Sequence, residues 1–115
     1  MFSPELLDHF QNPRNVGELS APAKIVEVTN PACGDILRLS ILWDGERISR
    51  VAFKVRGCTA SLAAGSALTL LLQDHTRAEA ASLTPERIEA ELGGLPEHSR
   101  HAAVLCIDAV RAALK

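Results

Sequence analysis

The sequence predicts an α+β domain in which helices cover the buried face of a sheet. Two observations carry the prediction. From Ile36 to Arg56, apolar and polar residues alternate with period two on either side of Asp44-Gly45, as in paired strands with one face in a core. Beyond Gly57-Cys58 the period becomes helical.

Taken in order, Ser3-Pro4-Glu5 opens a short helix: Ser3 caps it, Pro4 fits the first helical position and Glu5 complements the dipole. Leu6, Leu7 and Phe10 supply its apolar side. Asn12-Pro13 ends it, because the residue before a proline avoids helical geometry. Arg14 to Pro22 reads as an irregular connection broken at Gly17, and β-branched residues mark Lys24 to Thr29 as a first strand.

In the second strand, Ile36 to Trp43, residues Leu37, Leu39, Ile41 and Trp43 point one way while Arg38 and Ser40 point the other. In the third, Ile48 to Arg56, residues Val51, Phe53 and Val55 oppose Arg50, Lys54 and Arg56. Cross-strand partners share a face, so odd positions pair with odd. Matching Leu39 with Phe53 sets Leu37 against Val55 and Ile41 against Val51. Extending that ladder puts Cys33 opposite Thr59, or opposite Gly57 after a two-residue slip. In either register Cys33, Asp35 and Cys58 meet at one edge of the sheet.

Four helical segments follow. Thr59 to Gln73 is apolar on most sides and packs across the sheet; Ala78 to Leu83 is a short piece. Thr84-Pro85-Glu86 repeats the cap-proline-acid start and runs to Leu92 before Gly93-Gly94. The last helix begins near Pro96-Glu97, with Ala103, Cys106, Ile107, Val110 and Leu114 as its apolar stripe.

At 115 residues the chain, 1–115, reads as a single domain able to form a core without disulfide staples. A net charge of −2 and a pI near 6.1 give no electrostatic case for nucleic acid or an acidic membrane. Three cysteines at unrelated spacings make a poor disulfide framework and suit free thiols in a reducing compartment. Met1-Phe2-Ser3-Pro4-Glu5 lacks a basic region and apolar core, and Ser61 to Leu72 falls short of a membrane span of ~20 residues. The expectation is a cytoplasmic, soluble domain.

In Cys33-Gly34-Asp35 a thiol and a carboxylate stand two residues apart, with a glycine that lets the chain turn around an ion. Cys58 stands at the strand-to-helix junction. Each cysteine alone also fits a buried small hydrophobe. His101, in the first turn of the last helix, also fits a surface histidine, and His98 lies one turn earlier. Cys106 falls ~140° around the helix from His101 at 100° per residue, and reads as packing. Lys54 and Arg56 read as solubilising residues. Together Cys33, Asp35, Cys58 and His101 offer two thiolates, a carboxylate and an imidazole. That set satisfies tetrahedral zinc and can also hold an iron–sulfur cluster, where imidazole replaces thiolate on iron.

Asp8-His9-Phe10-Gln11-Asn12-Pro13-Arg14-Asn15-Val16-Gly17, Ala32-Cys33-Gly34-Asp35 and Gly57-Cys58, in that order, resemble the signatures of the iron–sulfur cluster assembly scaffolds of the IscU/NifU N-terminal type. The resemblance spans nearly the whole chain. It implies a three-stranded antiparallel sheet with helices packed on one face. It also implies a scaffold that takes sulfur from a cysteine desulfurase, gathers iron from an iron donor, builds a transient [2Fe–2S] cluster and passes it to apo-proteins. By position, Cys33, Asp35, Cys58 and His101 match its ligands. Two places depart from the family. Ala102 stands where a third cysteine is usual, and the chaperone-binding Leu-Pro-Pro-Val-Lys segment reads Leu95-Pro96-Glu97-His98-Ser99.

Three readings of function follow: a non-enzymatic scaffold or carrier for a transient cluster, a zinc-bound sulfur carrier accepting persulfide from a desulfurase, and a binding module that keeps the fold without metal. A thiol hydrolase using Cys58 and His101 has less behind it, since no oxyanion-hole motif or third orienting residue stands out.

Overall fold

The alternation between Ile36 and Arg56 forms a hairpin in the computed structural model, which describes residues 2–115. Helix α1 (Pro4–Gln11) precedes strands β1 (Lys24–Thr29), β2 (Ile36–Asp44) and β3 (Arg47–Arg56). Helices α2 (Thr59–Leu72), α3 (Arg77–Ala81) and α4 (Pro85–Glu91) follow, then a 3-10 turn over Glu97–Ser99 and helix α5 (His101–Ala113). The sheet is antiparallel in the order β1-β2-β3, and α2 and α5 pack on the face that carries Leu37, Leu39, Ile41, Val51 and Phe53.

The register is the one the alternation dictates: Leu39 pairs with Phe53, Leu37 with Val55 and Ile41 with Val51. It shifts once, between Leu42 and Trp43, so that Trp43 faces Ile48 and the hairpin closes on Gly45-Glu46. Lys54 and Arg56 are exposed on the other face, where Arg38 pairs with Glu18 at 2.8 Å and Glu27 at 3.4 Å. Ser40 and Ala52 also lie on that face, yet they are buried. They are cross-strand partners with short side chains.

The connection after α1 has a structural task. Gly17 N–H donates to Phe53 O and Phe53 N–H to Asn15 O, so the segment lies along the open edge of β3 and satisfies groups that would otherwise invite another chain. On the core side of Phe53, α2 approaches so closely that a Cβ on Gly65 would stand 2.5 Å from the ring.

Three expectations need correction. In α1 the buried residues are Leu6 and His9, whereas Leu7 and Phe10 are both 40% exposed. His9 is drawn inward because its Nδ1 lies 2.7 Å from Ser66 Oγ on α2, and Ser66 also accepts from Arg14 N–H. The last helix starts at His101 rather than near Pro96-Glu97, which form the 3-10 turn and its cap. The β2–β3 ladder ends at Ile36 and Arg56, so Cys33 is not opposite Thr59 or Gly57 but lies in the turn before β2.

Candidate metal centre

That turn is built from its own sequence. The Asn30 side chain accepts from Ala32 N–H, Gly34 N–H donates to Asn30 O at 2.7 Å, and Asn30 N–H donates to Asp35 O at 2.8 Å. Gly34 takes a φ of 79°, a conformation that costs a glycine nothing. The loop curls Cys33 back over Asp35. Cys33 is exposed while Asp35, at the foot of β2, is only 7% exposed.

Cys58 approaches from β3. It caps α2 with an extended backbone, and its Sγ lies 3.4 Å from Asp35 Oδ2. His101 approaches from the opposite end of the chain, at the first position of α5. Its Nε2 stands 3.8 Å from Cys58 Sγ and 3.6 Å from Asp35 Oδ2. On the far side of the ring, Nδ1 lies 3.2 Å from His98 O. The carbonyl can only accept, so Nδ1–H donates there and the ring turns Nε2 toward the thiol and the carboxylate.

The four side chains anticipated from the sequence are therefore together, as two triangles sharing one edge. Cys33, Asp35 and His101 present donor atoms all within 4.8 Å of one another. Asp35, Cys58 and His101 form the second set, at 3.4, 3.6 and 3.8 Å. Tetrahedral zinc, with bonds of about 2.0–2.3 Å, sets its donors about 3.3–3.8 Å apart. The second triangle already has that spacing, so Asp35, Cys58 and His101 fit a soft or borderline metal in dimension, and Cys33 adds a second thiol of suitable chemistry beside Asp35 and His101. Cys106 is 1% exposed and stays in the core with α5, as its stripe position requires.

Burial pushes the Asp35 carboxyl up, but hydrogen bonds more than offset it. Those from Ser61, then from the Cys58 thiol and amide, then from Cys33, leave the group below its ordinary value. The carboxylate is thus held ionised and aimed.

Two residues at the site escape a reading of sequence spacing. Ser61 donates to Asp35 Oδ2 at 2.5 Å. Gly57 passes so close beneath the carboxylate that a Cβ there would lie 2.6 Å from its carbon. The one signal for Ser61 is a hydroxyl residue three positions after Cys58, in a run that also holds Ser66 and Thr69. By spacing Gly57 reads as a strand end, although Gly57-Cys58 is one of the segments that carry the family resemblance.

Known proteins resemble this chain along nearly its whole length. The family model of the NifU-like N-terminal domain matches residues 1–115. The iron-sulfur cluster assembly scaffold protein IscU 1 of Archaeoglobus fulgidus is 38% identical over 114 residues, covering 99% of this chain and 74% of that one. IscU of Azotobacter vinelandii is 38% identical over 118 residues, covering 99% and 91%. Among solved structures, a candidate iron-sulfur cluster assembly scaffold for the SUF system of Fervidobacterium islandicum AW-1 superposes with a TM-score of 0.79, covering 99% and 96% of the chains. At 22% identity that likeness speaks for the fold.

Proposed function

Because the chain belongs to the NifU-like N-terminal domain family, we propose that it is a scaffold that assembles or holds a transient [2Fe–2S] cluster and hands it to apo-proteins. The observation that carries the reading is the convergence of Cys33, Asp35, Cys58 and His101 from a loop, a strand foot, a helix cap and a helix start. Exposed thiols at that rim suit a cargo that must enter and leave. The names of the relatives support the scaffold over the zinc-bound sulfur carrier.

In this reading the cluster is cargo. Cys33 and Cys58 supply soft thiolates, His101 supplies Nε2, and Asp35 supplies a hard oxygen that binds iron less tenaciously than sulfur does. A site with only two thiolates releases what it holds more readily than an all-cysteine site. Without iron and sulfide, the same donors take Zn²⁺ as a tetrahedral occupant. A cysteine desulfurase would deliver sulfur, an iron donor the metal, and apo iron–sulfur proteins would receive the product. Ala102 is fully buried and offers no thiol, so sulfur would enter through Cys33 or Cys58.

Anaerobic reconstitution with ferrous iron, cysteine, a desulfurase and a dithiol reductant that converts persulfide sulfur to sulfide, followed by transfer to an apo-ferredoxin, tests the reading. Iron and acid-labile sulfide in equal amounts, lost to the acceptor on mixing, are expected. Asp35→Ala should hold its cluster longer than the wild type. A protein that retains one zinc and takes up no sulfide, or an Asp35→Ala variant that loses cluster faster, contradicts it.

A further inference from the structure

Ser61 is outside the proposed donor set, yet it makes the shortest contact at the site. It lies one turn into α2 from Cys58 and is 2% exposed. Its hydroxyl donates to Asp35 Oδ2 at 2.5 Å and stands 3.3 Å from Cys58 Sγ. The same Oδ2 faces Cys58 Sγ and His101 Nε2. Gly57 also lies close to the carboxylate: a Cβ there would come within 2.6–2.9 Å of its carbon and both oxygens.

A helical serine or threonine commonly bonds a carbonyl of its own helix, and Thr69 does so in α2, donating to Ser66 O at 2.7 Å. Ser61 instead reaches across 26 sequence positions to the turn-and-strand junction. Buried as it is, its hydroxyl would lose its acceptor if the carboxylate swung away. The carboxylate thus lies against the Gly57 backbone, with a buried hydroxyl bonded to one of its two oxygens.

We propose that Ser61 is the positioning residue of Asp35, fixing which carboxylate oxygen is presented to a metal alongside the thiols and the imidazole. The inference rests on the reading of Asp35 as a ligand given above. Outer-shell partners of this kind change metal affinity by about 10–100-fold when removed. In this proposal Ser61 acts through Asp35 and not through its 3.3 Å contact with Cys58 Sγ, so its effect vanishes when Asp35 is absent.

The probe is Co²⁺ titrated anaerobically into the metal-free protein, followed by thiolate-to-cobalt charge-transfer and ligand-field bands. Ser61→Ala should weaken binding about 10–100-fold and alter the ligand-field envelope. Ser61→Thr, which keeps the hydroxyl, should recover most of the affinity. In an Asp35→Ala background, Ser61→Ala should change neither affinity nor spectrum. Charge-transfer bands in the wild type that Ser61→Ala leaves untouched would overturn the positioning role alone. An equal loss in both backgrounds would likewise overturn it, placing the effect of Ser61 in packing or in its contact with Cys58 Sγ. A wild-type protein without those bands overturns the ligand reading, and this inference with it.

Discussion

A methyl group placed on Gly57 would stand 2.6 Å from the carboxylate carbon of Asp35. Gly57 is not among the glycines in the left-handed region, so its backbone accepts alanine and only the carboxylate must give way. Gly57→Ala should therefore lower metal-free stability by about 1–3 kcal/mol, because the displaced carboxylate leaves the buried Ser61 hydroxyl without its acceptor. It should weaken Co²⁺ or Zn²⁺ binding by about tenfold or more. Paired thermal melts and metal titrations check this; unchanged metal binding would show that the carboxylate position does not matter.

The thiols should divide two to one. Cys33 and Cys58 are exposed, while Cys106 is buried and its thiol is pushed up to about 12 by that burial. The thiolate is the reactive form. Iodoacetamide on the native, metal-free protein should add two adducts quickly, at Cys33 and Cys58, with the third appearing only in denaturant. Metal loading should slow the first two. Peptide mass mapping reads the result, and alkylation of native Cys106 at a rate like theirs would contradict the packing assigned to α5.

Acid should loosen the attachment of α1 to α2 through His9. Burial holds His9 below the ordinary histidine value of 6.5, the nearby Arg14 charge adds to this, and Asp8 and Glu91 pull the other way. Ser66 Oγ accepts from Arg14 N–H and gives its own proton to a neutral His9 Nδ1. In the unfolded chain His9 takes up a proton near 6.5, whereas in the folded chain it does so only at lower pH. The stability it contributes is therefore full above about 6.5 and is lost as pH falls through the folded value. Urea midpoints across that range should fall more steeply for wild type than for His9→Gln. Parallel curves for the two proteins would contradict the assignment.

The sheet was legible in the sequence because its residues obey a period of two with one face buried. That fixes Leu39 opposite Phe53 with no freedom for a one-residue slip, since a slip would turn every apolar side chain to water. The shift between Leu42 and Trp43 was not legible, because Ser49 carries no mark of a bulge. Cys33 reaches the site by a different route from the expected one: hydrogen bonds within Asn30–Asp35 outweigh continuation of the ladder. In α1, Leu6, Leu7 and Phe10 look like one stripe, but the hydrogen bond from Ser66 turns His9 inward and Phe10 out. Such a tertiary contact, made 57 positions away, leaves no trace in a local pattern. Ser61 was hidden for the same reason, its partner lying in another element.

The most direct test of the central claim is a crystal structure of the zinc-loaded protein with data collected across the zinc absorption edge. The account predicts one anomalous peak at the rim, about 2.3 Å from the sulfurs of Cys33 and Cys58 and about 2.0–2.2 Å from Asp35 and His101. A peak elsewhere, or an ion at the rim that leaves either thiol unbound, would contradict it.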